Sequence, residues 1–166
     1  MLSKQVEMLL QQCRERAFKL RFAESCTAGA LSASIASVSG ASDVLDRAWV
    51  TYSNQAKIEE LGVGASLLET HGAVSEQVAI SMAEGGAATD TFCLAITGIA
   101  GPDGGSIEKP VGTVWMAICR PDGSSLSQHF LFHGSRHEIQ AQAVESAIAL
   151  LYKAILNENT TCLKGS

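Results

Sequence analysis

Apolar residues recur at helical spacing near the start of the chain. Val6, Leu9, Leu10, Cys13 and Ala17 share one face of a helix expected over residues 3–18. Ser3 is its expected N-cap, although Glu7 falls one residue too late for a strict capping box. Leu20 to Glu24 then reads as a short strand. A second helical pattern runs through Gly29-Ala30-Leu31-Ser32-Ala33-Ser34-Ile35-Ala36, and its small residues let it lie close to a sheet. Gly40-Ala41-Ser42 breaks the chain, and Ala48-Trp49-Val50-Thr51-Tyr52 is the second expected strand.

Residues 54–61 read as a helix with Asn54 as N-cap and Gly62 near its end. Helices over 65–70 and 75–89 follow, the latter opened by Ser75 and Glu76. Strands are expected at 91–97, 111–120 and 125–132, the last two joined by the hairpin turn Pro121-Asp122-Gly123-Ser124. A helix over about 135–157 closes the pattern, with Ile139, Ala143, Ala147, Leu150, Leu151 and Ile155 on one apolar face. Early strands alternate with helices and a hairpin comes late. This order predicts an α/β fold, a three-layer α/β/α domain with a mixed sheet. The expected domain spans residues 1–158, and a polar, frayed tail is expected over 159–166.

Composition adds bounds. The 166 residues suffice for one domain with a sizeable core, and 46 % apolar with 17 % charged residues suits a compact chain. The net charge of −5, with no basic cluster, argues against broad electrostatic binding to nucleic acid. No apolar run approaches membrane-spanning length in the sequence pattern, and the N-terminal residues do not read as a signal peptide. Five widely spaced cysteines, with no Cys-x-x-Cys pair, point to neither a zinc site nor a redox motif. Cys13, Cys93 and Cys119 sit in apolar patterns as small core residues. A reducing, cytoplasmic setting is expected, and apolar helix faces make a homodimer the expected assembly.

The run Thr97-Gly98-Ile99-Ala100-Gly101-Pro102-Asp103-Gly104-Gly105 changes the picture most. It follows a buried strand pattern and holds four glycines. A glycine-rich loop at a strand end is where α/β proteins tend to place a ligand. It matches neither the dinucleotide fingerprint nor the P-loop. A second candidate is the strand-to-helix turn Ala23-Glu24-Ser25-Cys26-Thr27-Ala28-Gly29. Ser25 or Thr27 there reads either as an N-cap or, for Ser25, as a nucleophile facing unpaired backbone N–H groups. Cys26 is a competing nucleophile. The base is open on pattern alone: His71, His129, His133 and His137 compete with Lys57, which follows Tyr52 just past the second strand. A partly buried lysine titrates low enough to act as a base.

Five blocks occur in order: Ala23-Glu24-Ser25-Cys26-Thr27, Val50-Thr51-Tyr52-Ser53-Asn54-Gln55-Ala56-Lys57, His71-Gly72-Ala73-Val74-Ser75, Gly98 to Gly105, and Lys109-Pro110-Val111-Gly112-Thr113-Val114. Together they resemble the CinA C-terminal domain family over nearly the whole chain. The resemblance implies an amidohydrolase that converts nicotinamide mononucleotide and water to nicotinate mononucleotide and ammonia, without cofactor or metal, in bacterial NAD salvage. It implies Ser25 as nucleophile, Lys57 as base and Tyr52 as an assisting residue. It also implies a substrate-contacting set of Cys26, Thr27, Gly29, Asn54, Thr97, Gly98, Gly101, Gly104, Gly105 and Arg136. Four positions depart from the family pattern. Ala28 replaces a common glycine and is expected to narrow the space beside the nucleophile. Gln140 and Ala141 stand where a second arginine is frequent after Gly134-Ser135-Arg136, and Thr97 replaces a serine. The alternatives are a Ser-Lys amidohydrolase acting on another small amide, or a non-catalytic nucleotide-binding domain.

Overall fold

In the computed structural model, the backbone of residues 1–162 and the side chains of residues 1–158 are described. The last helix runs on to Cys162, past its expected end near 157, and residues 163–166 of the expected tail lie outside the described residues. The elements are α1 (Leu2–Glu15), β1 (Lys19–Glu24), α2 (Ala30–Ala36), β2 (Leu45–Val50), α3 (Asn54–Leu61), α4 (Ala65–His71), α5 (Glu76–Gly85), β3 (Thr91–Gly98), β4 (Thr113–Cys119), β5 (Ser125–Leu131) and α6 (Arg136–Cys162). A single 3-10 turn, Ala41–Asp43, precedes β2.

The sheet order is β2-β1-β3-β4-β5. β1 pairs parallel with both β2 and β3, whereas β3–β4 and β4–β5 are antiparallel. The sheet is thus mixed, as the order of elements predicts. Strand alternation sorts two cores. Leu20, Phe22, Phe92, Leu94, Ile96, Val114, Met116 and Ile118 face one side, under α1, α2 and α6. Ala23, Cys93, Ala95, Ala117 and Cys119 face the other, under α3, α4 and α5. Full burial of a side chain such as Leu94 contributes about 1.5–3 kcal/mol, so the large residues anchor the first face. The small residues of the second face let α5 approach the sheet closely.

That close approach reaches its limit at the end of α5. A Cβ on Gly85 would lie 1.9 Å from the Leu61 carbonyl oxygen, and one on Gly86 would lie 2.6 Å from Cys93 Sγ. Gly85→Ala is therefore expected to cost about 2 kcal/mol or more in denaturant unfolding, since the obstacle is backbone and overpacking is typically this expensive. A loss below about 0.5 kcal/mol would contradict this packing. α5 ends at Gly85 rather than at 89, with Gly86 at its C-cap.

Other boundaries also differ from expectation. α1 starts at Leu2, so Ser3 lies inside it and Met1 holds the N-cap position without a side-chain bond. The helix stops at Glu15 because Ala17 turns left-handed (φ 57°) and Phe18 N bonds back to Cys13 O. β2 covers Leu45–Val50, not 48–52, as an edge strand with mostly exposed side chains. The cap of α3 is Ser53, whose hydroxyl accepts from Ala56 N at 3.0 Å, rather than Asn54. Ser75 caps α5 and Gly62 ends α3 (φ 68°), both as expected. Helix α6 also corrects the reading of apolar runs. Its stretch Arg136–Glu158 is long and apolar enough to cross a membrane, yet Ile139, Ala143, Ala147, Leu151 and Ile155 are buried in the core.

β1 has β2 on one side and β3 on the other, so the chain leaves β1 in one direction and returns in the opposite one. The crevice at the carboxyl ends of β1 and β3 is the switch point of such a sheet, where α/β folds bind ligands. Ser25 directly follows β1, and the glycine-rich loop directly follows β3.

Candidate active site

The turn after β1 is held from within. Glu24 is fully buried, and its carboxylate accepts from Gly29 N (3.0 Å), Leu31 N (3.1 Å) and Ser32 N (2.8 Å) at the start of α2. It also accepts from the Thr27 hydroxyl at 2.7 Å. Neither Ser25 nor Thr27 is the N-cap; Gly29 occupies that position with φ 94°, and the carboxylate takes up the free amides. Ser25 is released from capping. Its own amide is fixed to Ile96 O at 3.0 Å, while the Cys26 and Thr27 amides take no part in the backbone bonds of the turn.

Lys57 sits one turn into α3 and is 1 % exposed. Its Nζ lies 3.0 Å from Ser25 Oγ, and it donates to Thr51 O at 2.8 Å and Tyr52 O at 3.4 Å. The two carbonyls can only accept. When the amine is neutral they take its two N–H groups and leave its lone pair for the Ser25 hydroxyl. Burial pushes the Lys57 pKa below its ordinary value of 10.5. Cys26, the competing nucleophile, is 6 % exposed, and burial pushes its thiol up to about 12. At neutral pH it is a protonated thiol and a poor nucleophile.

Ser25 and Lys57 open into a cleft of about 250 Å³, lined also by Cys26, Tyr52, Thr97, Gly98, Gly101, Gly104 and Arg136. None of the four histidines lines it. His71 uses its carbonyl to hold Lys109 Nζ, and His129 packs on Trp115. Tyr52 is half-exposed, and its hydroxyl accepts from Arg136 Nη2 at 2.7 Å. It reaches Lys57 through its backbone carbonyl, not through its ring. Arg136 Nη1 donates to Gly101 O at 2.8 Å, so this one guanidinium ties the glycine loop to Tyr52 across the cleft.

Several expected contacts lie elsewhere. Asn54 is exposed at the start of α3 and does not line the cleft. Thr27 is turned toward Glu24, and Gly29 packs near Val50. Gly105 lies against the backbone of Val111, where a Cβ would be 2.8 Å from Val111 N. These three residues shape the walls rather than line the cleft. The Thr97 hydroxyl is held by Ala73 O at 2.8 Å. Gly98 leaves no room for a side chain, since a Cβ would meet Val114 Cγ2 at 2.7 Å. Gly101 is equally tight against Val111 Cγ1 at 2.4 Å, with φ 79°. The sequence pattern assigns no role to Ala73, Val74, Ile99, Ala100 and Asp103, which also line the cleft. Their signal was the Gly-Ala-Val-Ser block and the glycine-rich run with its Pro-Asp-Gly turn.

The departures also acquire positions. Ala28 is exposed and does not line the cleft, so it does not narrow the space beside Ser25. Its consequence is conformational: its φ of 48° lies in the left-handed region, where alanine is less stable than glycine. Gln140 donates to Cys26 O at 2.8 Å and braces the nucleophile turn from α6.

The fold and this cleft define an α/β domain with a buried serine–lysine pair at the switch point of its sheet. The CinA C-terminal domain model matches residues 2–155, and the chain belongs to that family. It is 42 % identical over 156 residues to a "Nicotinamide-nucleotide amidohydrolase PncC" of Escherichia coli strain K12, covering 93 % of this chain and 94 % of that protein. It is 47 % identical over 151 residues to a "CinA-like protein" of Syntrophobacter fumaroxidans, covering 90 % of this chain but only 35 % of that longer protein. Among solved structures, a CinA superfamily protein from Klebsiella pneumoniae matches with a TM-score of 0.89 at 33 % identity, covering 95 % of this chain and 99 % of that one. The competence/damage inducible protein CihA from Agrobacterium tumefaciens matches with a TM-score of 0.87 at 38 % identity, covering 93 % and 94 %.

Proposed function

We propose that this chain is a nicotinamide-nucleotide amidohydrolase, acting through an acyl-enzyme on Ser25 with Lys57 as base. The observation that carries the chemistry is the buried Lys57 Nζ at 3.0 Å from Ser25 Oγ, its other two bonds made to carbonyls. The substrate reading is supported by the full-length similarity to the Escherichia coli amidohydrolase.

In this reading neutral Lys57 takes the Ser25 proton as Oγ attacks the carboxamide carbon. The Cys26 N–H, next to the nucleophile, in the cleft lining and free of backbone bonds, is assigned to the developing oxyanion. Collapse breaks the C–N bond, and the Lys57 ammonium returns its proton to the leaving nitrogen as ammonia departs. Arg136 donates to the Tyr52 oxygen, which leaves the Tyr52 proton free to assist that departure. Water then attacks the ester with Lys57 again as base; the carboxylate leaves, and Ser25 regains its proton. The sum is one amide and one water converted to one carboxylate and one ammonium ion, the proton of the new carboxylic acid passing to the released ammonia through solvent. No step needs a metal or cofactor. The free thiols of Cys13, Cys26, Cys93 and Cys119 fit a reducing, cytoplasmic setting.

The discriminating experiment is ammonia release from nicotinamide mononucleotide, nicotinamide riboside, nicotinamide and unrelated small amides. The account expects turnover of the nucleotide far above the rest. Preferential turnover of a non-nucleotide amide would favour the alternative of a different small amide. Absence of turnover throughout would favour a binding domain.

Arg136 is the side-chain cation at the cleft mouth and is assigned to the substrate phosphate. Charge-assisted hydrogen bonds to phosphate are worth about 1.5–3 kcal/mol. Arg136→Met is thus expected to raise KM for the nucleotide by about 10- to 100-fold, with a smaller change in kcat. An unchanged KM in steady-state assays would remove Arg136 from phosphate binding.

A further inference from the structure

We infer that Glu24 is the positioning residue of the nucleophile: its buried carboxylate holds the Ser25 turn in the only shape that presents Oγ to Lys57. The inference rests on the Ser25–Lys57 reading above. Glu24 ends β1 directly after the buried Phe22 and Ala23, is 0 % exposed, and forms no salt bridge among the described residues. A buried charge without an ionic partner is costly unless hydrogen bonds surround it. Five do. Oε2 accepts from Thr27 Oγ1, Gly29 N and Leu31 N, and Oε1 accepts from Ser32 N and from Ser32 Oγ at 2.5 Å. All five partners act as donors, which matches an acceptor-only carboxylate.

The geometry these bonds impose is specific. The chain between Glu24 and α2 passes through two left-handed residues, Ala28 (φ 48°) and Gly29 (φ 94°). Such a conformation at a non-glycine residue persists only where surrounding contacts over-determine it. Thr27 and Gly29, on either side of Ala28, are both fastened to the same carboxylate oxygen. Ser25 stands between two fixed points, its amide on Ile96 O and the turn closed by Ala28 N on its own carbonyl. Gln140 fixes the turn from outside, at Cys26 O. The Cys26 and Thr27 amides are left out of backbone bonding as a result. Glu24 does not line the cleft and acts through the turn it holds.

Glu24→Gln keeps the size but replaces one acceptor oxygen by an NH₂ group facing donors. Thr27→Val removes one donor and keeps the shape. Each variant is compared with wild type by kcat and KM for nicotinamide mononucleotide, well below its own melting temperature, and by the rate at which a fluorophosphonate probe labels Ser25. The expected result is a kcat lowered about 100-fold in Glu24→Gln and about tenfold in Thr27→Val. KM should stay within threefold, and labelling should slow in parallel. Thr27→Ser, which restores the hydroxyl, should recover most of the rate lost in Thr27→Val. If Glu24→Gln does not fold, the Thr27 pair decides. Folded variants with wild-type kcat and labelling would overturn the positioning role alone. A wild type that neither labels nor turns over would overturn the Ser25 reading and this inference with it.

Discussion

Ammonia release is expected to fall by about 10³-fold or more in both Lys57→Met and Lys57→Arg, the range of a lost general base. The two substitutions fail for different reasons. Methionine has no proton acceptor. Arginine keeps the charge but does not give up its proton, so it cannot take one from Ser25. A solvated surface lysine would tolerate arginine, which makes that variant the sharper test. The pH dependence has a definite sign. Burial lowers the folded-state pKa of Lys57 below its ordinary 10.5. Activity needs the neutral amine, so kcat/KM should rise with pH through the depressed pKa and level off before the ordinary lysine range. Stability shares that origin. The unfolded chain binds the Lys57 proton more tightly than the folded one, so this residue weakens the fold below its depressed pKa. The deficit is recovered as pH rises toward 10.5. Lys57→Met should consequently be inactive yet at least as stable as wild type at neutral pH, measured by denaturant unfolding. Retained turnover in a folded Lys57→Arg enzyme would reject the lysine base.

Ser25→Ala is expected to lose at least about 10⁴-fold in ammonia release, as removal of a nucleophile that acts as a unit with its base does in other hydrolases. Binding of the nucleotide should survive, since Ser25 is only one wall of the cleft. Isothermal titration with the variant checks this. Because the Cys26 thiol is pushed up to about 12, it should not substitute for the missing hydroxyl. Cys26→Ala is expected to retain more turnover than Ser25→Ala. The reverse order would transfer the nucleophile to Cys26.

The parts of the fold legible in the sequence were those where one side chain face decides the element. α1, β3 and β4 have unambiguous apolar faces, and the Pro121-Asp122-Gly123-Ser124 turn closes with Gly123 at φ 85°. β2 was misplaced because an edge strand has no buried face to read, and Asp46 and Arg47 within it are exposed. The close packing of Gly85 and Gly86 was not legible because it answers to Leu61 and Trp49, which are distant in sequence. At the site, Ser25, Lys57 and the glycine loop were legible as strand-end features, and the fold brings them to one crevice. Glu24 is not singled out by the sequence pattern because a carboxylate closing a strand that already carries Lys19 and Arg21 reads as its solvent end. Its burial depends on amides that α2 supplies from five to eight residues onward. The Tyr52–Arg136 bond joins residues 84 apart, a contact that no local pattern encodes.

The most direct measurement is turnover of nicotinamide mononucleotide by the purified protein in the presence of hydroxylamine. An acyl-enzyme on Ser25 can pass its acyl group to hydroxylamine as well as to water. The account predicts ammonia release at a rate set by acylation, with part of the product diverted from nicotinate mononucleotide to its hydroxamate, and neither product from Ser25→Ala. Ammonia released with no hydroxamate at any hydroxylamine concentration, or no ammonia at all from the wild-type protein, would contradict it.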